Sequence, residues 1–235
     1  MRLIHASALV VAVALVSPAV HGQDADRKIA GGGISVKGWM GVADTSREST
    51  GLTVNDAKFA PDGAGFMVQT GPGIVYYNPA NRATGNYTVK ATFDEPQYMN
   101  INTHAHPYGI VIAGNDLATP NQSLLYCSAY GDGRFIVRGF TPITAPKNTF
   151  QMNGGKGETH AAVNKAAGKG QPVKQEIALA VNGDNVTCSI NGTVVGTYTK
   201  AALATAGLKT TDGVYGLRFG HNTDVKVTGF GMTKN

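Results

Sequence analysis

The sequence predicts an all-β domain in which short antiparallel strands form a two-sheet sandwich or a barrel. Three observations carry this prediction: apolar and polar residues alternate along many short segments, turn residues separate the segments, and the composition suits short strands. The chain has 235 residues, with 31 glycines, 42% hydrophobic residues and only 15% charged residues. A helical bundle or a disordered chain would have a different composition.

The clearest strand pattern lies in residues 175–199, which are predicted to form three strands joined by two tight turns. Apolar residues recur there at every second position, as they do in a strand with one buried face. The predicted inward-facing residues are Ile177, Leu179, Val181, Val186, Cys188 and Ile190. The turns are Gly183-Asp184 and Asn191-Gly192, and the second is the strongest short hairpin signal known. An antiparallel meander follows from this pattern.

The N-terminus is typical of a secretory signal peptide. Arg2 precedes an apolar run over residues 8–16, and small residues follow before a polar stretch begins at Gln23. We therefore predict a signal peptide over residues 1–22, a flexible N-terminus over 23–33 and a single domain over 34–235. The protein is then exported to the periplasm or the extracellular space. No later segment has about 20 consecutive apolar residues, so no membrane span is expected after cleavage.

Between these ends the strand pattern recurs with one interruption. Strands are predicted at 58–59, 65–70, 74–77, 86–95, 108–114, 123–130, 134–140, 213–220 and 224–232, after an edge segment at 34–41 that buries Trp39. Residues 108–114 are apolar on both faces, which predicts a central strand. Residues 141–172 form a long predicted loop with one helical turn near 160–167. A short helix over 200–206 should end at Gly207.

The two cysteines, Cys127 and Cys188, are both predicted to face inward from strands. In an oxidising compartment they can form one bridge that joins two strands, and this is the favoured interpretation. Two separate buried thiols are the alternative.

The C-terminal third narrows the fold. Gly183-Asp184, Asn191-Gly192, a short helix and then residues 213–218 (GVYGLR) follow one another in the order seen at the end of concanavalin A-like or laminin-G-like jelly rolls. The chain resembles in particular the bacterial exported 3-keto-disaccharide hydrolase domain group. The resemblance implies an all-β, two-sheet antiparallel jelly-roll sandwich, and it implies glycoside hydrolase or lyase activity as one alternative function.

The residues themselves do not supply the carboxylates of a common glycosidase. Such an enzyme places two carboxylates about 5 Å apart on one strand face. The four glutamates, Glu48, Glu95, Glu158 and Glu176, have no partner at strand spacing except the neighbours Asp94 and Glu95. Adjacent strand residues point to opposite faces, so this pair is poorly placed. Whether the protein is an enzyme therefore stays open.

The group of polar residues most suited to chemistry lies on either side of the predicted central strand. His104 and His106 are two residues apart, so in an extended segment they share a face. They are interpreted as metal ligands, as ligand contacts or as structural histidines, and His221 is a candidate third member. With Asp116 at the far end of the strand, His104 and His106 are also the candidate catalytic groups.

A sugar site needs aromatic rings and planar polar groups. The predicted ligand-binding residues are Tyr76, Tyr77, Tyr108, Tyr126, Arg134, Arg138, Arg218 and His221. No cofactor is predicted, although calcium held by loop Asp and Asn oxygens stays an alternative.

The net charge of +5 is mild and its lysines are scattered, so nucleic acid is not an expected partner. The favoured function is an exported module that binds carbohydrate or another cell-envelope polymer. The alternatives are a hydrolase or lyase acting on a modified disaccharide, and a structural envelope protein without a small ligand.

Overall fold

The computed structural model describes residues 24–44, 51–143 and 148–235. The predicted signal peptide lies outside the described residues. Within the described part of the chain, no helix is both long enough and apolar enough to cross a membrane.

The described chain is almost entirely β, which confirms the predicted fold class. In chain order the elements are β1 (Gly33–Ile34), β2 (Met40–Ala43), a 3-10 turn (Val54–Asp56), β3 (Lys58–Asp62), β4 (Gly65–Gln69), β5 (Ile74–Ala83), β6 (Tyr87–Glu95), β7 (Tyr108–Asn115), β8 (Ser123–Ala129), β9 (Arg134–Phe140), β10 (Thr149–Gln151), β11 (Glu158–Thr159), β12 (Val173–Asn182), β13 (Asn185–Ile190), β14 (Thr193–Thr199), α1 (Lys200–Ala206), β15 (Gly213–Phe219) and β16 (Asp224–Lys234).

These strands form two sheets that face each other across one core. The first sheet has the order β1-β3-β4-β16-β6-β12-β13-β14, and the second has the order β10-β9-β8-β7-β15-β5-β2, with β11 paired to β9. Among the described strands, β1 and β3 pair in parallel and the other pairs are antiparallel. The architecture is a concanavalin A-like jelly-roll sandwich, as predicted.

The meander of β12, β13 and β14 has the predicted faces and turns. All six residues predicted to face inward are fully buried, with 0% exposure. Asn191 and Gly192 both have positive φ angles, 50° and 79°. This is the backbone of the type I′ turn, whose twist matches that of the strands it joins. Helix α1 ends at Gly207, which has the left-handed φ of 111°.

The core between the sheets is rich in aromatic contacts. Phe59 stacks on Tyr76 with ring centroids 4.5 Å apart, and Phe93 stacks on Tyr108 at 5.6 Å. Trp39 closes one side of this core by packing against Phe59 at 4.9 Å, so it is a packing residue, as the sequence predicts. Such ring pairs add stability beyond the area that they bury.

A disulfide crosses the core and joins the two sheets. Cys127 on β8 and Cys188 on β13 are bonded, with their Cα atoms 6.1 Å apart. The bridge that the sequence favoured is therefore present. It links strands that share no hydrogen bonds, because β8 belongs to the second sheet and β13 to the first.

The long loop predicted over residues 141–172 contains more structure than expected and a different kind. Strands β10 and β11 both pair with β9, and Lys165 forms an isolated bridge with Asp132. The helical turn predicted near 160–167 is wrong. The backbone N–H of Asn164 donates to the Gln175 side chain on β12, and that of Ala166 donates to the Gly131 carbonyl oxygen in the turn between β8 and β9. These two N–H groups therefore bond outside the segment and not within a helical turn.

Residues 24–27 belong to the segment that the sequence predicts as a flexible N-terminus. In the structure they contact the connection between β15 and β16. The Arg27 guanidinium donates to the Asp224 carboxylate at 2.5 and 3.1 Å and to the Thr70 carbonyl oxygen at 2.9 Å. The Asn222 side chain accepts from Arg27 N–H and donates to the Ala25 carbonyl oxygen. We call residues 24–27 the N-terminal strap.

Glu95, at the end of β6, is a buried acid. Its residue is 7% exposed and its Oε2 atom has no hydrogen-bond partner. Burial raises the pKa of Glu95 from 4.5 to about 7, although the nearby Met99 N–H and Tyr108 hydroxyl oppose the rise. The folded protein therefore holds this proton more tightly than the unfolded chain does.

We predict that reducing the disulfide lowers the free energy of unfolding by about 4 kcal/mol, because Cys127 and Cys188 are 61 residues apart and their link restricts the unfolded chain. Urea unfolding with and without reductant measures this loss. The double variant Cys127→Ala/Cys188→Ala should not respond to reductant. A loss below about 1 kcal/mol would contradict the prediction.

We predict that Glu95→Gln removes a pH dependence of stability. Because the folded pKa is about 7 and the unfolded pKa is 4.5, the contribution of Glu95 is full below pH 4.5 and is lost as the pH rises through 7. Relative to the native protein, the variant should therefore gain up to about 3 kcal/mol at pH 8 compared with pH 4. Urea unfolding at both pH values measures the difference.

The matched control for this experiment is Glu176→Gln. The Glu176 carboxylate lies 3.9 Å from the Lys90 ammonium group, and both side chains are about half exposed. Such pairs contribute less than about 1 kcal/mol. An equal response of the two variants to pH would contradict the role assigned to Glu95.

Candidate functional site

The outer face of the second sheet, opposite the core, is apolar and covered. A second hydrophobic cluster lies on this face and consists of Val75, Tyr77, Val111, Leu124, Tyr126, Ile136 and Val214. Phe140 and Leu117 pack against it. The second sheet is therefore buried on both faces, which is why β7 is apolar throughout.

One ion pair crosses this apolar face. Arg218 on β15 donates through both terminal nitrogens to the two oxygens of Asp44, which directly follows β2. The Arg218 carbon Cζ lies 5.5 Å from the ring centroids of both Tyr126 and Phe140. Gly73 permits this arrangement, because a Cβ atom there would come within 2.6 Å of the Asp44 carboxylate.

Because Arg218 is buried, its positive charge needs the Asp44 carboxylate as a partner. The Arg218 residue is only 7% exposed. Desolvation lowers the pKa of Arg218, but the charge and hydrogen bonds of Asp44, assisted by Tyr126, outweigh it and raise the pKa. Burial also raises the pKa of the Tyr126 hydroxyl, so this group is neutral under physiological conditions. Arg218 and Asp44 therefore form a bidentate ion pair beside the rings of Tyr126 and Phe140, and we call this pair the Arg218 clamp.

Beside this ion pair lies a cavity of about 710 Å³, which we call the groove. Its lining residues are Gly41, Val42, Ala43, Asp44, Leu52, Thr53, Val54, Val75, Ala118, Thr119, Pro120, Gln122, Arg138, Phe140, Thr141, Ile143, Asn148 and Thr149. Two loops meet at its wall, where Ile143 N–H donates to the Pro120 carbonyl oxygen at 2.8 Å. The groove combines an apolar floor with the polar groups of Asp44, Arg138 and Asn148.

The structure separates the aromatic residues predicted to bind a ligand. Tyr76 and Tyr108 lie in the core with 0% exposure, so no ligand can reach them and we remove them from the predicted set. Tyr77 and Tyr126 are on the outer face as the alternation predicts, but they are only 5% and 4% exposed. They lie beneath the face rather than forming an exposed platform.

The three predicted arginines have different environments. Arg138 lines the groove and donates to the Thr149 hydroxyl at 3.2 Å. Arg218 is held by Asp44. Arg134 is held away from the groove, because it donates to the Asp132 carboxylate at 2.6 and 2.9 Å and lies over the Tyr130 ring at 4.5 Å.

The predicted histidines do converge, at the end of the sandwich where β7 begins and β15 ends. The ring centroid of His106 lies 4.4 Å from that of His104 and 3.8 Å from that of His221. One nitrogen from each ring lies within 4.8 Å of the other two. Burial, together with the charges of the neighbouring His221 and His104, lowers the pKa of His106 to about 3. We call these three residues the histidine cluster.

Two carboxylates from the N-terminal strap face the histidine cluster. Asp24 Oδ2 lies 3.5 Å from His104 Nδ1, and Asp26 Oδ1 lies 2.7 Å from His221 Nδ1. Asp24 also accepts from the backbone N–H of Thr103 at 2.6 Å, and this hydrogen bond is the main reason that the pKa of Asp24 is lowered.

Asp116 does not join the histidines. Its carboxylate accepts from Lys209 Nζ at 3.0 Å. The whole of β7, eight residues long, separates it from His106. At about 3.3 Å per residue this strand spans roughly 26 Å. The predicted catalytic group of His104, His106 and Asp116 is therefore not assembled.

Five residues that were not predicted from the sequence belong to the groove or lie beside the histidine cluster. Asp44, Phe140 and Asn148 belong to the groove, and no motif marks them. Asp24 and Asp26 carry a signal that could have been used, since they are two residues apart like His104 and His106. In an extended segment such a pair shares a face.

The two-sheet architecture is that of a concanavalin A-like jelly-roll domain, and solved structures with the same fold are similar to this chain. The chain is similar to the carbohydrate-binding module CBM66 from Bacillus subtilis, with 11% identity, coverage of 84% of this chain and 96% of that one, and a TM-score of 0.55. It is also similar to a galectin-like protein of unknown function from Bacillus subtilis, with 12% identity, coverage of 85% and 90%, and a TM-score of 0.53. At such identities the likeness concerns the fold. No protein-family model and no curated protein sequence matches the chain.

We predict that Asp44→Asn lowers the free energy of unfolding by roughly 2–3 kcal/mol, because it leaves the buried Arg218 charge without its partner. Chemical denaturation measures the loss. Asp62→Asn is the matched control, since Asp62 pairs at 3.5 Å with Lys226 and both side chains are at least 40% exposed. The control should change stability by less than about 1 kcal/mol. Equal effects of the two substitutions would contradict the assignment.

Proposed function

We propose that this protein is an exported carbohydrate-binding module that holds a segment of an extracellular or cell-envelope polysaccharide in the groove. The observation that carries the proposal is the groove itself, a cavity of about 710 Å³ on the outer face of the second sheet. Ligand sites of roughly 300–1,000 Å³ that are mostly apolar and contain a few oriented polar groups are typical of proteins.

The chemistry of the groove suits a sugar. The half-buried side chains of Phe140 and Val42 offer apolar surface to the C–H faces of a pyranose. Asp44 accepts hydrogen bonds from hydroxyl groups, and Arg138 donates them. The Arg218 clamp holds the Asp44 carboxylate in one orientation, so little side-chain freedom is lost when a ligand binds.

Two further observations support the proposal. The similar chain from Bacillus subtilis with a TM-score of 0.55 is named a carbohydrate-binding module. The disulfide supports export, since such bonds persist mainly in oxidising compartments. Cleavage after Gly22 would also leave the N-terminal strap intact on the mature chain.

We predict that Arg138→Ala and Phe140→Ala each weaken binding of an oligosaccharide at least tenfold, since each removes one class of contact from the groove. Calorimetric titration against a panel of neutral and acidic glycans identifies the ligand and measures both variants. Melting temperatures establish that the variants fold.

The matched control is Arg134→Ala, on the same strand and the same face but outside the groove. It should bind the ligand like the native protein. If Arg134→Ala loses as much affinity as Arg138→Ala, the groove is not the binding site. If a glycan is turned over rather than held, the hydrolase alternative replaces the binding module.

A further inference from the structure

The histidine cluster is built by the pairing of two strands. His104 and His106 precede β7, and His221 follows β15. The first residue of β7, Tyr108, is opposite the last residue of β15, Phe219. The two connections therefore leave the sheet side by side, and Gly220 N–H donates to the Pro107 carbonyl oxygen at 2.7 Å. The register of the sheet therefore brings the two histidine-bearing connections together.

Two ring nitrogens of the histidine cluster, His106 Nε2 and His221 Nδ1, are buried and have no hydrogen-bond partner among the described residues. A buried polar atom without a partner costs stability, so folded proteins seldom retain one without a reason. The His106 residue is only 6% exposed and lies between the other two imidazoles, and one nitrogen of each ring lies within 4.8 Å of the others.

A carboxylate lies beside each of the outer two rings. Asp24 Oδ2 is 3.5 Å from His104 Nδ1, and Asp26 Oδ1 is 2.7 Å from His221 Nδ1. A small rotation of each ring lets its Nδ1–H donate to the carboxylate, and the ring then presents the Nε2 lone pair on its other side. This is the usual environment of a histidine that binds a metal, because the carboxylate fixes the tautomer and makes the ring a stronger ligand.

We propose that His104, His106 and His221 bind one divalent transition-metal ion of the zinc class, with Asp24 and Asp26 as the carboxylates that position two of the ligands. Three imidazoles suit zinc, cobalt, nickel or copper and do not suit calcium or magnesium, which take oxygen ligands. Three protein ligands also leave a fourth position free for water or another molecule. The His104 side chain is 41% exposed, which gives the ion a path from solvent.

The geometry requires only small adjustments for binding. Three nitrogens at mutual distances of at most 4.8 Å lie no more than about 2.8 Å from a common centre. Zinc–nitrogen bonds are about 2.0–2.1 Å long. Side-chain rotations that move each nitrogen by less than about 1 Å therefore complete the site.

The test uses the full-length chain, purified without a polyhistidine tag and stripped with a chelator. Zinc binding is measured by calorimetry, and cobalt binding is measured by the visible absorption of the tetrahedral ion. We expect one ion per chain and a higher melting temperature with zinc. Calcium and magnesium should have neither effect.

Three variants locate the ion. His104→Ala should weaken zinc binding at least a hundredfold, and the exposure of this ring makes the substitution tolerable for folding. Asp26→Asn should weaken binding about 10–100-fold while one ion per chain is still bound. His160→Ala removes a histidine that lies outside the cluster, against Phe135, and should bind zinc like the native protein.

Two results would overturn the proposal. One is a native chain that binds neither zinc nor cobalt at micromolar concentrations. The other is a loss of zinc binding in His160→Ala as large as that in His104→Ala. Oligosaccharide binding is measured separately, so failure of this proposal leaves the groove untouched.

Discussion

The groove and the histidine cluster are the two candidate sites, and both depend on the antiparallel pairing of β7 with β15. Its register sets Phe219 opposite Tyr108 and Arg218 opposite Gly109. The first pair places the histidine-bearing connections next to each other. In the second pair, Gly109 lets β7 approach β8 closely, because a Cβ atom there would clash with the Cys127 carbonyl oxygen and with Ser128. A shift of one residue would turn Arg218 into the core, because successive strand residues face opposite sides.

The outer face of the second sheet contains a buried ion pair in a fixed orientation. A sandwich needs only its inner faces to be apolar, yet here the outer face of β8 is buried as well. The Arg218–Asp44 ion pair lies on that face, where desolvation costs more than an exposed pair would. The result is a fixed orientation: two aromatic rings, the close approach of the Gly73 backbone and the bidentate contact with Arg218 all constrain the Asp44 carboxylate.

Much of the fold could be predicted from the sequence because it is encoded locally. Alternation in β12 and β13, the Asn191-Gly192 turn and the Gly207 cap each depend on neighbours in the chain. The Cys127–Cys188 bridge was favoured but left open, since alternation shows that a side chain faces inward and not which strand lies opposite. The burial of Tyr126 was not predicted for the same reason, since its ring is covered by Phe140 and Arg218 from two other strands.

The candidate sites were predicted in part, and the errors have a common physical origin. His221 was joined correctly to His104 and His106, because all three lie at strand ends, where the topology can bring distant residues together. Asp116 was joined to them wrongly, since a strand of eight residues holds its two ends apart. The Asp24 and Asp26 carboxylates were missed because a polar, glycine-rich segment resembles a free terminus when its partners are unknown.

The two places also share one end of the second sheet. Asp44 N–H donates to the Gly73 carbonyl oxygen, in the row of residues just beyond the pair of Ala43 with Ile74. Ile74 in turn pairs with Phe219 on β15, so Gly220 occupies the same row. Two strand spacings of about 4.8 Å separate Asp44 from Gly220, or roughly 10 Å. The groove therefore begins close to the histidine cluster, and the end of β15 supplies both, with Arg218 on the outer face and His221 three residues further along. The sheet therefore holds Arg218 and the start of the connection that carries His221 close together, while the loops beyond the strands complete the groove and the histidine cluster.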